Sequence, residues 1–481
     1  MKLKLRGKDL REIGYPESPA ISIAINVMEQ HHKRMTVEEA LGILKGVLER
    51  PEEYVSDPVL GKIAKALQEK KAREEKEILL KETKVDYNVF GAAYIEQGAI
   101  DQMNSAARLP ITVAGALMPD AHHGYGLPIG GVLATENAVI PYGVGVDIGC
   151  RMCLSIFEID PGELDKREQY FSRELNEATL FGSGAMFINA ANHEVMERPE
   201  FQETELLRSL QHRAWKQLGS SGSGNHFVEF GTVEIKEHDS VLGVEAGTYL
   251  GLLSHSGSRA LGANIANHYT KIAKEKRRLP QEAVNLAWLS LDEEEGMEYW
   301  RAMNLAGDYA SACHHVIHEK IARELGVTPI KMVENHHNFA WKEMYEGKEV
   351  IVHRKGATPA GKDVLGIIPG SMTAPGFIVK GKGETASVNS ASHGAGRKMS
   401  RTAAMGSITH AHLKEVLRQH GVTLLGGGLD EAPFAYKDIE EVMKSQKQLV
   451  ETLGKFTPRI VKMSGDEPKK WRKKKGQADR V

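Results

Sequence analysis

The segment GVGVDIGCRMCLSIF (143–157) carries residue types that suit metal chemistry. Asp147 and Cys150 lie in a glycine-rich turn, which can aim both side chains at one point, and a thiolate with a carboxylate makes a transition-metal site. Cys153 follows in a strand-like run, an odd number of positions later, so we expect it on the opposite face as a small core residue. Taken alone, DIGC is more typical of a turn aspartate beside a buried cysteine.

The spacing CRMC is a weak match to the two familiar paired-cysteine sites. A redox pair needs its first cysteine at a helix N-terminus, and a zinc knuckle needs a second pair of ligands. The one further cysteine is Cys313, in the helical run CHHVIHEK. There His314 and His318 share a helix face like half of a zinc site, but no glutamate stands between them in an HExxH pattern, so a structural role is the more typical interpretation.

Four other histidines lie beside Gly, Ser or Asn loops at the edges of apolar runs. They are His226 in GSGNHFVEF, His255 in HSGSR, one of the adjacent pair His336 and His337 in VENHHNFAW, and His393 in SHGAGR. Neutral imidazole is a common metal ligand and a good nucleophile. Four such placements together favour a metal or catalytic site.

Three glycine loops could hold phosphate through backbone N–H groups. They are HSGSRALG (255–262), PGSMTAPGF (369–377) and HGAGRKMSR (393–401). One such loop is a weak signal, but three beside candidate metal ligands suggest a nucleotide or polynucleotide phosphate as substrate.

Composition limits the class of protein. A formal net charge of -2, with 41% hydrophobic and 26% charged residues, is typical of a globular protein and argues against one that coats nucleic acid. Three cysteines form no disulfide framework and suit a reducing compartment. We find no apolar run of membrane-spanning length and no export signal, so we expect a cytoplasmic protein without a membrane partner.

The elements that must position these residues predict a mixed α/β (α+β) fold. Residues 1–87 read as a mostly helical extension, with Thr36 and Glu39 forming a capping box. Residues 88–465 alternate β-like runs with helices, which predicts a single large domain with central β-sheets and surrounding helices. Residues 466–481 form a basic tail, KKWRKKK at its centre, that is either solvated or adds RNA contacts.

The region 88–465 resembles the RtcB-type RNA ligases, the GTP- and manganese-dependent enzymes of tRNA splicing and RNA repair. The motifs that carry the resemblance are MPDAHHGYGLPIGG (118–131), GVGVDIGCRM (143–152), GSGNHFVEF (222–230), HSGSR (255–259), HHNFA (336–340), RKGA (354–357), IIPGSM (367–372), SHGAGR (392–397) and GLDEAPFAYKDI (428–439).

The resemblance implies the roles of the ligand residues and of the nucleophile. Two manganese ions would share Cys150; one would also take Asp147 and His226, and the other His255 and His337. His393 would attack the α-phosphate of GTP and carry GMP.

The resemblance also implies the guanylate contacts. They are Asn225, His226, Phe227, Val228, Glu229, His337, Asn338, Pro369, Gly370, Ser371, Met372, Gly376, His393, Gly394, Ala395, Gly396 and Lys462. Gly376 stands where family members often carry a serine. Arg259, Arg354 and Arg397 are candidate RNA or triphosphate contacts, since arginine matches phosphate bidentately.

The implied reaction joins RNA ending in a 2′,3′-cyclic phosphate or 3′-phosphate to RNA with a 5′-hydroxyl end, and an archease-type activator is a possible partner. Two alternatives remain at this stage. A metal phosphoesterase would need the metal ligands but neither His393 nor Lys462, and a non-catalytic RNA-binding protein would predict a broken ligand set.

Overall fold

The computed structural model describes residues 3–74 and 77–465. The chain divides into two compact units, Met1–Leu79 and Leu80–Val481. The division comes before the predicted boundary at residue 87, because the intervening segment pairs with the second unit: the Lys81 N–H donates to Arg108 O and the Val85 N–H to Ala107 O. The predicted basic tail, 466–481, lies outside the described residues.

The N-terminal unit is helical, as predicted. Its helices are α1 (Gly7–Glu12), α2 (Pro19–His31), α3 (Val37–Glu49), α4 (Pro51–Tyr54) and α5 (Gly61–Glu74). Leu10, Met28 and Leu44 are among the fully buried side chains of its own small core. The predicted capping box is confirmed at α3, where Thr36 Oγ1 accepts from the Glu39 N–H at 3.2 Å and Glu39 Oε2 accepts from the Thr36 N–H at 2.8 Å.

The second unit combines sheets and helices, which confirms the predicted fold class. Its strands are β1 (Asn88–Val89), β2 (Thr112–Tyr125), β3 (Leu127–Thr135), β4 (Ala138–Val139), β5 (Arg151–Phe157), β6 (Phe227–Ile235), β7 (Gly247–Ser256), β8 (Leu289–Ser290), β9 (Lys331–His336), β10 (Asn338–Tyr345), β11 (Lys348–Lys355), β12 (Ala357–Pro359), β13 (Leu365–Ile368), β14 (Gly376–Gly381), β15 (Ser390–Ser392), β16 (Thr423–Leu424) and β17 (Val450–Met463).

The helices of this unit cover the sheets and fill the long connections. They are α6 (Gln97–Ala107), α7 (Pro141–Val144), α8 (Glu163–Lys166), α9 (Glu168–Ala178), α10 (Glu205–Gln217), α11 (Arg259–Lys276), α12 (Glu294–Leu325), α13 (Arg401–Ser407), α14 (His410–Gln419) and α15 (Ile439–Lys444). Among the described residues, no helix is both long enough and apolar enough to span a membrane.

Two larger sheets organise the unit. One has five strands in the order β1-β2-β3-β11-β10. The other has eight strands, in the order β13-β14-β17-β6-β7-β5-β9 with β16 added beside β17. Strand β2 was not predicted from the sequence; its run MPDAHHGY carries polar residues, yet most of its side chains are buried between neighbouring elements.

Side-chain alternation gives the eight-stranded sheet two distinct faces. On one face Phe157, Phe230 and Leu252 pack with Ile317 and Ile321 of α12. The opposite face carries a second core cluster that includes Met152, Leu154 and Leu253. Each strand of this sheet therefore presents successive residues to different surroundings.

We predict that Thr36→Ala weakens the first turn of α3 by about 1 kcal/mol, because the N-cap hydroxyl no longer accepts the Glu39 N–H. Amide hydrogen exchange in this turn should accelerate roughly fivefold, the factor that such a free energy corresponds to. Thr36→Ser keeps the acceptor and serves as the matched control. Unchanged exchange in Thr36→Ala would contradict the capping role.

Candidate active site

Four strand ends of the eight-stranded sheet gather the candidate metal ligands. The loop between α7 and β5 carries Asp147 and Cys150, His226 directly precedes β6, His255 lies at the end of β7, and His337 follows β9. Because β6, β7, β5 and β9 are antiparallel neighbours, these starts and ends meet at one edge of the sheet. The His337 N–H also donates to Cys150 O at 3.0 Å, which fixes the two loops together.

The five side chains converge on the Cys150 sulfur. Its Sγ lies 3.1 Å from His255 Nε2 and 3.4 Å from His226 Nε2. His255 Nε2 lies 3.2 Å from His337 Nε2, and His226 Nε2 lies 2.9 Å from Asp147 Oδ2. Two ligand triads result, Asp147–Cys150–His226 and Cys150–His255–His337, and they share the sulfur. The structure thus brings together all five residues that the resemblance assigned as ligands.

The protonation of these groups fits a bound cation. His255 Nδ1 donates to Asn225 O at 3.0 Å, which leaves a lone pair on the Nε2 that faces Cys150. Burial lowers the pKa of His255 to about 3 and that of His337 well below its ordinary value, so both rings are neutral at pH 7. His226 Nδ1 and His337 Nδ1 are buried without a hydrogen-bond partner. Converging lone pairs on buried atoms are destabilising unless a cation lies between them.

The Asp147 carboxylate adds negative charge to that cluster, and Cys150 adds more only when it loses its proton. Burial, followed by the Asp147 carboxylate, raises the pKa of Cys150 well above its ordinary value, so the sulfur keeps its proton unless a cation replaces it. Burial alone would raise the pKa of Asp147, but the hydrogen bond and charge of His226 outweigh it and lower that pKa. The donor set, one thiolate, one carboxylate and three imidazoles, suits transition-metal ions.

Two glycines give the ligands their space. A Cβ on Gly257 would lie 2.0 Å from Asp147 Oδ1, and a Cβ on Gly222 would lie 1.9 Å from His226 Nδ1. Any side chain at either position would displace a ligand. The glycines of GSGNH and HSGSR are therefore required by close approach rather than by backbone conformation alone.

His393 lies beside this cluster and is held by Asp120 of β2. His393 Nδ1 is 2.6 Å from Asp120 Oδ2, and the His393 backbone N–H donates to the same oxygen at 3.2 Å. Asp120 is fully buried. Burial alone would raise its pKa, but the charge and hydrogen bond of His393 lower it, so the group is a carboxylate that accepts from Nδ1–H. In the neutral His393 ring, a proton on Nδ1 leaves the lone pair on Nε2, and the ring centroid lies 4.9 Å from that of His337.

Asp120 and His122 belong to the site but received no role from the sequence. They lie in MPDAHHGYG, which contributed to the resemblance as a string only. The one sequence feature that could have indicated a role for Asp120 was a carboxylate within a histidine- and glycine-rich run. Its pairing with His393 could not be predicted, because the two residues are far apart in the chain and no spacing pattern connects them.

A cavity of about 310 Å³ opens onto the cluster and His393. Most predicted guanylate contacts line it. They are Asn225, Phe227, Glu229, His337, Pro369, Gly370, Ser371, Met372, Gly376, His393, Gly394, Ala395 and Gly396. The predicted contacts His226, Val228, Asn338 and Lys462 are not among its lining residues.

The structure places Lys462 on the wrong side of β17 for its predicted contact. Its ammonium donates to the carbonyls of Leu175, Asn176 and Thr179 at 3.1–3.3 Å. Its neighbours Val461 and Met463 line the cavity instead. The reason is strand alternation, which sends successive side chains to opposite faces.

The three candidate phosphate-binding arginines differ in access. Arg354 is fully buried, and its guanidinium is paired with Glu343 and backbone carbonyls, so its predicted phosphate contact is wrong. Arg259 is buried as well and donates to Ser220 Oγ and Gly182 O. Arg397 alone of the three lines the cavity.

The cavity is also lined by Glu431, a buried carboxyl residue that the sequence analysis did not single out. Glu431 is 2% exposed and pairs with Arg397 at 3.1 Å, and it also pairs with Arg401 and Tyr436. All four residues line the cavity. The motif GLDEAPFAYKDI contains two of them, but only the fold brings them to the arginines.

We predict that His337→Ala abolishes cation binding at the Cys150–His255–His337 triad and spares the Asp147–Cys150–His226 triad, because His337 belongs to only one of them. Cys150→Ala should weaken both sites, because the sulfur is shared. Equilibrium dialysis against Mn²⁺ measures both effects. The matched control is His336→Ala, whose ring packs on Phe339 and Trp341 instead; loss of Mn²⁺ in this control would contradict the assignment.

Comparison with known proteins identifies the family. A sequence model described as tRNA-splicing ligase RtcB matches residues 102–463. The RNA-splicing ligase RtcB of Escherichia coli (strain K12) is 31% identical over 388 residues, covering 75% of this chain and 92% of that protein. The tRNA-splicing ligase RtcB of Nanoarchaeum equitans is 30% identical over 423 residues, covering 74% of this chain and 88% of that protein. With its buried cysteine–histidine cluster in the matched region, the chain belongs to the RtcB family.

Proposed function

We propose that the protein is a GTP- and Mn²⁺-dependent RNA ligase that joins a 2′,3′-cyclic phosphate or 3′-phosphate end to a 5′-hydroxyl end. The observation that carries this proposal is the placement of His393. Its ring lines a cavity that also reaches His255 and His337 of the five-residue ligand cluster, and in the neutral ring Nε2 keeps its lone pair because Nδ1–H donates to Asp120. Neutral imidazole is a nucleophile that needs no strong base to activate it, and a nearby cation can neutralise phosphate charge. Both features suit phosphoryl transfer.

The first step would load guanylate onto the enzyme. His393 Nε2 attacks the α-phosphorus of GTP, the P–N bond forms, and pyrophosphate leaves with the electrons of the broken P–O bond. Asp120 accepts a hydrogen bond from Nδ1–H, which keeps the ring in the tautomer that can attack through Nε2. The carboxylate also stabilises the positive charge that develops on the ring. Two Mn²⁺ ions held by the cluster would neutralise phosphate charge and provide Lewis acidity.

The later steps would use the same phosphoramidate. A cyclic phosphate is first hydrolysed to a 3′-phosphate. An oxygen of the 3′-phosphate then attacks the guanylate phosphorus and the P–N bond breaks, which returns the electron pair to His393. Finally the 5′-hydroxyl attacks the activated 3′-phosphorus, a phosphodiester forms, and GMP leaves.

Glu229 and the PGSM loop are the proposed holders of the guanosine. Burial raises the pKa of Glu229 well above its ordinary value, so a neutral carboxyl group lines the cavity and can both donate and accept. The backbone of Pro369–Met372 and of Gly394–Gly396 borders the same space, where N–H groups can contact phosphate. Arg397, which also lines the cavity, is the proposed arginine contact to RNA or triphosphate.

The decisive experiment is label transfer from GTP carrying radioactive α-phosphate. The wild-type protein with Mn²⁺ should acquire acid-labile covalent label, and His393→Ala should acquire none, because the nitrogen that forms the bond is missing. The control His410→Ala removes an exposed histidine of α14 and should label normally.

The same proteins are then given RNA with 2′,3′-cyclic phosphate and 5′-hydroxyl ends, with and without an archease-type activator. Joining by wild type and failure by His393→Ala support the ligase. Opening of the cyclic phosphate without label or joining, under every condition, would instead indicate a metal phosphoesterase and refute the proposal.

We predict that Asp120→Asn slows label formation by about 10²–10⁴-fold, the range expected when an orienting carboxylate is lost and the wrong tautomer is allowed. GTP affinity should change little, since Asp120 is fully buried behind the His393 ring. Single-turnover labelling at saturating GTP separates the two effects. A purely structural role would instead lower the labelled fraction without changing the rate.

A further inference from the structure

A second group of metal-ligand residues lies on the other face of the eight-stranded sheet. Cys153 of β5 and His314 and His318 of α12 each offer one ligand atom, and these atoms lie within 4.8 Å of one another. All three side chains are at most 1% exposed. The ligand atoms of the two triads around Cys150 also lie within 4.8 Å of one another, so this group is as compact as those of the candidate active site.

The fold separates this group from the catalytic cavity. In the β5–β7 register Met152 pairs with His255, and Cys153 pairs with Ser254. Met152 and His255 line the cavity, so alternation turns Cys153 and Ser254 to the opposite face, where α12 packs. None of the three residues has a place in the proposed ligase reaction.

Helix periodicity brings the two histidines to the same point. His314 and His318 are four residues apart in α12, and side chains at this spacing lie one above the other. His314 Nδ1 lies 2.6 Å and His318 Nε2 lies 2.7 Å from the same atom, Ser254 Oγ. One nitrogen of each ring therefore points at the hydroxyl of Ser254, the residue that pairs with Cys153 in the strand register.

The other nitrogen of each ring is hydrogen-bonded as in metal sites. His314 Nε2 lies 3.2 Å from Ser256 O, and His318 Nδ1 lies 2.7 Å from Ser155 Oγ. A ligating histidine nearly always donates its second ring N–H to an oxygen of this kind, which fixes its orientation and tautomer. His255 shows the same arrangement at the Cys150 cluster, where its Nδ1 bonds to Asn225 O.

We propose that Cys153 Sγ, His314 Nδ1 and His318 Nε2 form a structural site for a thiophilic divalent cation of the zinc type, with Ser254 Oγ as the fourth ligand. Thiolate and imidazole donors in fourfold coordination suit zinc. The site is closed, because all its side chains are buried and no position opens to substrate. Binding releases the Cys153 proton to solvent, and the ion enters as the sheet and α12 come together.

The competing explanation is a metal-free hydrogen-bonded chain. Ser155 would donate to His318, His318 to Ser254, Ser254 to His314, and His314 to Ser256 O. This chain satisfies both rings without a cation. The two explanations differ in one measurable respect. In the hydrogen-bonded chain the Cys153 sulfur has no bond to a metal, and in the proposed site it has one.

The test uses Co²⁺ as the probe in the full-length Cys150→Ala protein, which lacks the active-site thiolate. We expect a thiolate-to-Co²⁺ charge-transfer band with about one thiolate-bound cobalt per chain. Adding Cys153→Ala should abolish the band. The matched control adds Cys313→Ala, which removes a buried cysteine one residue from His314, and should leave the band intact.

Absence of the band in Cys150→Ala, or its persistence after Cys153→Ala, would overturn the proposal and support the hydrogen-bonded chain. Zinc K-edge X-ray absorption gives a second measurement that leaves the proposed site unmutated. Cys150→Ala loaded with one equivalent of Zn²⁺ should show one sulfur at about 2.3 Å and two imidazole nitrogens at about 2.0 Å. A coordination shell of nitrogen and oxygen alone would also overturn the proposal.

Discussion

The site depends on one buried sulfur, that of Cys150, which three other segments of the chain approach with His226, His255 and His337. Cys150 Sγ contacts His255 and His226 directly, and through them the contacts extend to His337 and Asp147. Burial keeps the imidazoles of His255 and His337 neutral and the Cys150 thiol protonated in the absence of a cation. The same burial makes it costly to gather nitrogen and sulfur donors at one point, and a cation held between them would offset that cost.

Strand register is what maintains this convergence. Met152 pairs with His255 and Phe227 pairs with His255 on the other side, so the three central strands align at the level of the cluster. A shift by one residue in any of them would turn its ligand to the face occupied by α12. The two apolar cores on either side of the sheet oppose such a shift. A one-residue shift would move the side chains of a strand from one core into the other, where the neighbouring side chains do not fit them.

The two faces of these strands carry different polar chemistry. The cavity face presents His255, which contacts the Cys150 sulfur, and the neutral carboxyl of Glu229 to a ligand-sized space. The α12 face presents Cys153 and Ser254 to two fully buried histidines with no opening. An open cluster suits catalysis and a closed one suits stabilisation of the fold, which is the division of roles that we propose for the two cysteines of CRMC.

The sequence by itself determined the local and the motif-borne features. These include the mixture of helices and strands, the Thr36 cap and, through the family motifs, the five candidate ligand residues, because each rests on residue types close in the chain. The tertiary structure alone decided which side chains reach the cavity. It turned Lys462 away through strand alternation, buried Arg354 against Glu343, and brought Asp120 to His393. These outcomes depend on register and long-range packing, and no short stretch of sequence encodes either.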